Sequence, residues 1–480
     1  MATPRNISTS TAAGTKLRRG RFTPAYVSLL DQIAAAAPDS WAKVNTNRFE
    51  NAWPDPAFRA PYSTDPDPVA HSQANSSSPS VIIGAWCSFA WDDDAMRLDL
   101  WGGGHANGSN GEVYSWRGET QQWHLAFHST SYEYKAGCGI RSTAGSLNAP
   151  TSAHTYSNNV WLPKSQRFLT FGGATHNRGE PFLVSDASGA TLRVGGPFTL
   201  DMTLAFQGYV GAGTGTNPKR TGTISEGVDL PGANAWKMRD YRLDHPNTAV
   251  AAMIPGGRTT VVTEENGRDV IYTHAGSGTS KSLARIEIVD GDYRNDIISI
   301  VGAAWGNNSS DVPAALDTKR RLFFNPSFLN SGIPDFFGGW DLSPGKAGPS
   351  NRYFSCPAAG VSGPGAADLI ANAASAAYSM LYDERRDCFV VMDRDKRMYE
   401  VRPPAGTDYT TGWTVKKLMD VARFPADMVD DTIPKGALRA SFCGRFKRSK
   451  RLDVYVHLTH TFDGQIWVYK PNDWLDPRNA

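Results

Sequence analysis

The stretch Phe89–Gly104, FAWDDDAMRLDLWGGG, sets the reading of the whole chain. An apolar residue leads into a polar turn of about four residues, and an alternating apolar strand follows. The same form returns in VWLPKSQRFLTFGGA (Val160–Ala174), AAMIPGGRTTVVTEEN (Ala251–Asn266), AALDTKRRLFFNPS (Ala314–Ser327), MLYDERRDCFVVMDRD (Met380–Asp395) and CGRFKRSKRLDVYVHL (Cys443–Leu458). Charged or glycine-rich turns between β-rich runs read as tight hairpins. A hairpin repeated every ~60 to 90 residues predicts an array of small sheets rather than several unrelated domains.

Composition agrees. The chain has 480 residues, 40% hydrophobic and 11% aromatic, with 46 Gly and 30 Pro, which suits a turn-rich all-β protein. No apolar run approaches the ~20 residues of a membrane-spanning helix. A formal charge of +2 supplies no electrostatic ground for nucleic acid or a membrane as partner. The basic clusters Arg18–Arg21 and Lys447–Arg451 are short and read as solvated surface. Five cysteines with wide spacing and no CxxC make neither a disulfide framework nor a zinc site, and Cys388 and Cys443 read as buried thiols. The first residues lack the apolar core of a secretory signal. The expectation is folding in a reducing cytoplasm.

Residues 1–22 are rich in Ser, Thr and Arg and predict an arm that is disordered when free and orders against a partner. Thr23-Pro24 opens a short helix through AYVSLLDQIAAAA, ended by Pro38. Residues 1–40 are thus arm and helix, and 41–480 the array. Within the array the hairpins continue into further strands: EVYSWRGETQQWHLA after copy one, PFLVSDASGATLRV after copy two, ARIEIVDGDYRNDIISI after copy three and KRMYEVRPPAGTDYTTGWTVKKL after copy five. Four antiparallel strands per unit make a propeller blade.

The run into Gly102-Gly103-Gly104, then Glu112-Val113-Tyr114, then Trp123, resembles the double-glycine, tyrosine and tryptophan layout of the kelch family. Phe168–Gly173 with Phe182 repeats part of it. The resemblance covers roughly residues 80–475, with copies three and six lacking the double glycine. It implies an all-β, six-bladed kelch-like propeller. The last copy has a third strand, Gln465–Tyr469, and then no fourth, while Trp41–Val44 resembles the strand that follows the tyrosine of a blade. This early strand is expected to complete the last blade and so join the ends of the array.

Candidates for chemistry are few. His105, His154 and His176 fall near blade edges, where three imidazoles on one face bind a metal; each also lies beside a turn, where imidazole commonly bonds to loop carbonyls. Copper radical oxidases of the galactose oxidase type share the kelch-like fold, but they need two histidines, two tyrosines and a cysteine cross-linked to one tyrosine. Only Cys138, near Tyr134, stands in a comparable loop. Asp92-Asp93-Asp94 and the Asn107–Glu112 run lack calcium-loop spacing, and turn chemistry alone accounts for them. No catalytic, cofactor-binding or metal-ligating residue is nominated, and no cofactor is expected. Trp53, Trp236, Trp305 and Trp340 fall in stretches that read as loops. With the three histidines, Trp236, Trp305 and Trp340 form a candidate binding face for sugar rings or a protein partner. The long stretches 196–245 and 328–375 read as insertions that carry partner-specific contacts.

The glycine-histidine motif Gly102–His105 with the following Glu112-Val113-Tyr114 resembles kelch-like propellers found among virion structural proteins of tailed bacteriophages. That resemblance implies a structural and binding subunit made in the host cytoplasm. It would be oligomeric in its assembly, joined to other virion proteins through residues 1–22, and able to touch a host-surface glycan. The alternative is a bacterial glycan-binding or galactose-oxidase-like propeller.

Overall fold

The computed structural model describes residues 24–53, 79–84, 86–103, 112–127, 132–135, 139–142, 153–171, 182–185, 191–194, 198–206, 236–238, 259–275, 281–289, 292–305, 313–325, 335–346, 348, 352–373, 378–393, 397–428 and 444–479. These residues form a six-bladed β-propeller, each blade an antiparallel four-stranded sheet. Blade 1 is Phe89–Asp92, Arg97–Trp101, Val113–Arg117 and Gln122–Phe127. Blade 2 is Val160–Leu162, Arg167–Thr170, Phe198–Asp201 and Trp236–Met238. Blade 3 is Thr259–Glu265, Arg268–Ala275, Lys281–Val289 and Asp292–Trp305. Blade 4 is Ala315–Asp317, Leu322–Phe324, Asp335–Asp341 and Tyr353–Pro357. Blade 5 is Tyr378–Asp383, Cys388–Asp393, Met398–Arg402 and Trp413–Met419, with the short parallel strand Val361–Ser362 added at its outer edge. Blade 6 is Phe446–Ser449, Val454–Thr459 and Gln465–Lys470.

The fourth strand of blade 6 comes from the other end of the described chain. Ser40–Lys43 pairs antiparallel with Gln465–Lys470, Trp41 opposite Tyr469. The segment singled out in the sequence, Trp41–Val44, therefore lies at the edge of the last blade. The helix Val27–Ala35 precedes it and buries Leu29, Leu30 and Ile33. Lys470 Nζ donates to the carbonyls of Ala34 and Ala36 at 2.7 and 2.8 Å, a cation at a helix C-terminus.

First strands of successive blades touch, blade 1 to 2, 2 to 3, 3 to 4, 4 to 5 and 5 to 6. A parallel bridge between Ser88 and Gly444 joins blade 6 to blade 1. The core is correspondingly divided into six apolar clusters, one per seam between neighbouring blades. This explains why inner strands such as Tyr378–Asp383 and Cys388–Asp393 are buried at every position: each face of a blade meets a neighbour.

Five of the six first hairpins have a four-residue turn whose last residue is left-handed: Met96, Gln166, Arg321, Asp387 and Asp453, with φ between 48° and 58°. Blade 3 turns instead on Asn266-Gly267, both with positive φ, the two-residue turn that matches strand twist. The hairpin expected at Pro255-Gly256-Gly257 in copy three therefore lies one strand too early, since Thr259–Glu265 after it is the blade's first strand.

Two further expectations are corrected. PFLVSDASGATLRV forms strands, Phe182–Ser185 and Thr191–Val194, but among the described residues they pair with each other alone, and the third strand of blade 2 is Phe198–Asp201. Likewise 196–245 and 328–375 are not wholly insertions, since they supply two strands each to blades 2 and 4. Alternation marks a strand but not its partner.

Polar contacts cross every seam at the end of the ring that carries these turns. Arg320 holds Asp387 with two bonds of 2.7 and 2.8 Å, and Arg386 holds Asp453 at 2.9 Å. Asp93 accepts from Ser449 Oγ at 2.6 Å, Asp269 accepts from the Lys164 and Ser165 amides, and Arg321 pairs with Glu265 at 3.0 Å. Between blades 1 and 2 the Arg97 guanidinium lies over the Trp161 ring at 4.9 Å. The Lys447–Arg451 run, expected as solvated surface, belongs partly to this interior: Arg448 pairs with Asp383 and Asp453, both buried. Arg18–Arg21 and residues 1–22 lie outside the described residues.

Candidate functional site

At the opposite end, where the first strands begin, the chain enters blades 1, 2 and 6 through Trp86–Ser88, Ala153–Asn159 and Gly444-Arg445. Buried polar side chains tie these entries together. Ser88 N–H donates to Thr155 Oγ1 at 3.0 Å and Ser88 Oγ to the Thr155 carbonyl at 3.3 Å. Asn159 Nδ2 donates to the carbonyls of Ser88 and Trp101 at 2.8 and 2.9 Å. His457 Nδ1 lies 2.9 Å from the Arg445 carbonyl. A side chain at Gly444 would bring its Cβ within 3 Å of Ser88 Cβ and the Tyr156 carbonyl, so only glycine lets the strands approach here.

The double glycine serves the same junction. Gly102 and Gly103 have φ of 67° and 97°, and Gly103 N–H donates to the Ala153 carbonyl at 2.7 Å. A Cβ on Gly103 would collide with the Ile82 carbonyl. The motif thus fixes where the His154 segment runs.

On this frame stands an aromatic cluster. The Trp86 indole stacks on the His154 imidazole with centroids 4.4 Å apart and 10° between planes. Tyr156 meets His154 edge-on at 5.5 Å, and its hydroxyl lies 3.2 Å from His154 Nδ1. Which of the two donates depends on the tautomer. Trp86 and Tyr156 both have left-handed backbones, φ 41° and 45°, a conformation that costs a bulky residue ~1–3 kcal/mol and gathers at functional sites. Three bonds hold it: the Trp86 carbonyl accepts from the amides of Thr155 and Tyr156, each at 2.9 Å, and from Thr155 Oγ1 at 3.3 Å. His154 is 7% exposed, whereas Trp86 is half-buried.

Of the candidate binding face, His154 is the member placed in this cluster; His105 and His176 lie outside the described residues. The tryptophans sit elsewhere than expected. Trp236 is a strand residue, 2% exposed, packed edge-on against Trp101, Phe127 and Phe168 in the seam of blades 1 and 2. Trp340 is fully buried in the third strand of blade 4 against Phe323. Its Gly338-Gly339 lead reads as a loop, yet Gly339 is needed because a Cβ there would strike the Phe323 carbonyl of the paired strand. Trp305 closes the fourth strand of blade 3. Trp53 follows a 3-10 turn and packs against Phe49 and Phe462.

Among the described residues no group of three His, Cys, Asp or Glu is arranged to hold a metal. Among the described residues Cys87, Cys356 and Cys388 are buried thiols in no disulfide, and burial pushes the Cys388 thiol far up. Cys138 and Cys443 lie outside the described residues. No described helix is long and apolar enough to cross a membrane.

The fold and this junction define the class: a six-bladed β-propeller with an aromatic cluster where its first strands begin. No family model matches the chain, and no curated protein matches it. Among solved structures it is similar to a crystal structure of a protein from Lactobacillus plantarum, at 10% identity, covering 80% of this chain and 85% of that one. The TM-score of 0.31 carries no argument about function.

Proposed function

We propose that the chain is a structural and binding subunit whose ring presents the Trp86–His154–Tyr156 cluster to a sugar ring. The observation that carries this is the part-exposed Trp86, stacked on His154 and, like Tyr156, held in a left-handed backbone. Strain at two bulky residues persists only where the surroundings enforce it. An indole face suits the apolar C–H face of a sugar, and the buried His154 and Tyr156 behind Trp86 hold that indole in place.

The assembly half of the reading comes from the likeness of Gly102–His105 and Glu112–Tyr114 to propellers of tailed-phage virions, with residues 1–22 lacing the subunit to its neighbours and the host surface supplying the glycan. Two measurements test the two halves separately. On a glycan array the wild-type chain should bind, and Trp86→Ala should lose tenfold or more while keeping its melting curve. Equal binding by the variant, or no binding by wild type, removes the sugar-platform reading. Mass spectrometry of particles from a phage encoding this chain should detect it as a stoichiometric component; its absence removes the virion reading.

A further inference from the structure

The inner strands repeat, and one repeat is broken. Six positions before Met96, Gln166, Arg321, Asp387 and Asp453 stand Ala90, Val160, Ala315, Leu381 and Lys447. The first four are buried apolar residues. The fifth is a lysine on the innermost strand of blade 6, opposite Val456. Phe446 beside it faces the seam with blade 5, so strand alternation turns Lys447 the other way, toward blade 1. Arg445, two residues earlier and on the same side, is fully buried with its guanidinium near the Ile83 carbonyl at 3.4 Å.

Lys447 has no ion pair or hydrogen bond among the described residues. The carboxylates along the same turn region are engaged elsewhere: Asp453 and Asp383 by Arg386 and Arg448, and Asp93 by Ser449 and Arg451. Burial alone pushes its amine down to about 8. Its accessible surface is nonetheless intermediate. Lys447 stands on the innermost strand of its blade and still keeps accessible surface, so water and small solutes reach its side chain. A cation at a position its counterparts fill with apolar side chains is costly to bury alone, and the cost falls when an anion joins it.

We propose that Lys447 is the cationic centre of an anion-binding site on the inner wall of the ring, at the junction of blades 6 and 1. It takes a small oxyanion, either a free phosphate or the carboxylate of an acidic sugar. The site lies three residues, or ~10 Å, along the strand from Gly444 and the aromatic cluster, and stands whether or not that cluster binds sugar.

Calorimetric titration of the full chain with sodium phosphate and with sodium glucuronate tests it. Saturable binding of at least one is expected, weakened tenfold or more in Lys447→Met and largely retained in Lys447→Arg. Preference for phosphate identifies a free oxyanion and preference for glucuronate a sugar acid. Lys447→Met should melt no lower than wild type, since four other blades carry apolar residues there. If it does not fold, acetylation of Lys447 in wild type, followed by mass spectrometry, replaces it: the tighter anion should slow the reaction several-fold. The proposal fails if neither anion binds saturably at tens of millimolar, if Lys447→Met binds as wild type does, or if acetylation is indifferent to the anion.

Discussion

Replacing Trp41 by alanine tests whether the N-terminal strand holds the last blade in place. Trp41 is buried in the seam of blades 5 and 6, with ring centroids 5.3 Å from Tyr469, 5.8 Å from Phe424 and 6.3 Å from Phe446. Its indole N–H has no hydrogen-bond partner among the described residues, so the loss is one of packing alone. Truncating a buried tryptophan costs about 3–5 kcal/mol. The strand is an edge, which can relax into the space, so the lower half of that range is expected. A ring of 480 residues has an unfolding entropy of about 1 kcal/mol per degree. The same loss therefore lowers the melting temperature by only ~3–4 °C, and a denaturant titration is the better assay. The midpoint should fall while the slope stays constant if the whole ring unfolds together. A change below ~1 kcal/mol would mean that blade 6 stands without its fourth strand. A second, earlier transition would mean that it melts alone; either result refutes the coupling.

Two other perturbations address the seams. Asp92 is buried beside Arg97, which it shares with Asp99; burial raises its pKa to about 6, against the opposing pull of Arg97 and the Ala95 amide. The folded state thus holds this proton more tightly than the unfolded state, so the group's contribution to stability falls as pH rises from about 4 to about 6. Asp92→Asn should gain on wild type by up to ~3 kcal/mol across that interval and stay level above it; denaturation at pH 4, 5, 6 and 7.5 reads this directly, and parallel curves would refute it. Gly444→Ala places a Cβ under 3 Å from Ser88 Cβ and the Tyr156 carbonyl. It should destabilise by more than the ~1 kcal/mol spread of ordinary surface changes, and a neutral result would show that the blade 6–1 bridge is not close-packed.

Much of the ring was legible because it is built from local turns. Asp317 and Asp383 end their first strands and accept the turn amides of Lys319 and Arg320, and of Arg385 and Arg386, so the acid-then-basic turn is visible as a string of letters. Asn266-Gly267 was equally legible as a hairpin signal, and reading Pro255–Gly257 in its place displaced copy three. What composition hides is the partner. The basic residues at 448 and 386 look like solvent-facing charge until other blades bring Asp453 and Asp383 to them. Trp340 looks like a loop aromatic until Gly339 is seen pressed against the neighbouring strand. Trp86 gave no sign at all, since a left-handed backbone at tryptophan is imposed by the Thr155 and Tyr156 amides, 69 residues and more away.

The two ends of the ring divide the work. At the turn end every seam is bridged, and the charged groups that bridge them are spent on one another: Asp387 is held well below the usual carboxylate range by Arg320 and Tyr382, and Arg320 well above its own by the same contact. Such mutually satisfied pairs have little left to offer a ligand. At the strand-start end Ser88, Thr155 and Asn159 tie the entries of blades 1 and 2 together through neutral hydrogen bonds, beside the buried Arg445. The aromatic cluster stands on that neutral frame, and Lys447 lies deeper along the same inner wall. With the turn end locked by ion pairs, the sites proposed at Trp86 and Lys447 would be reached from the strand-start end.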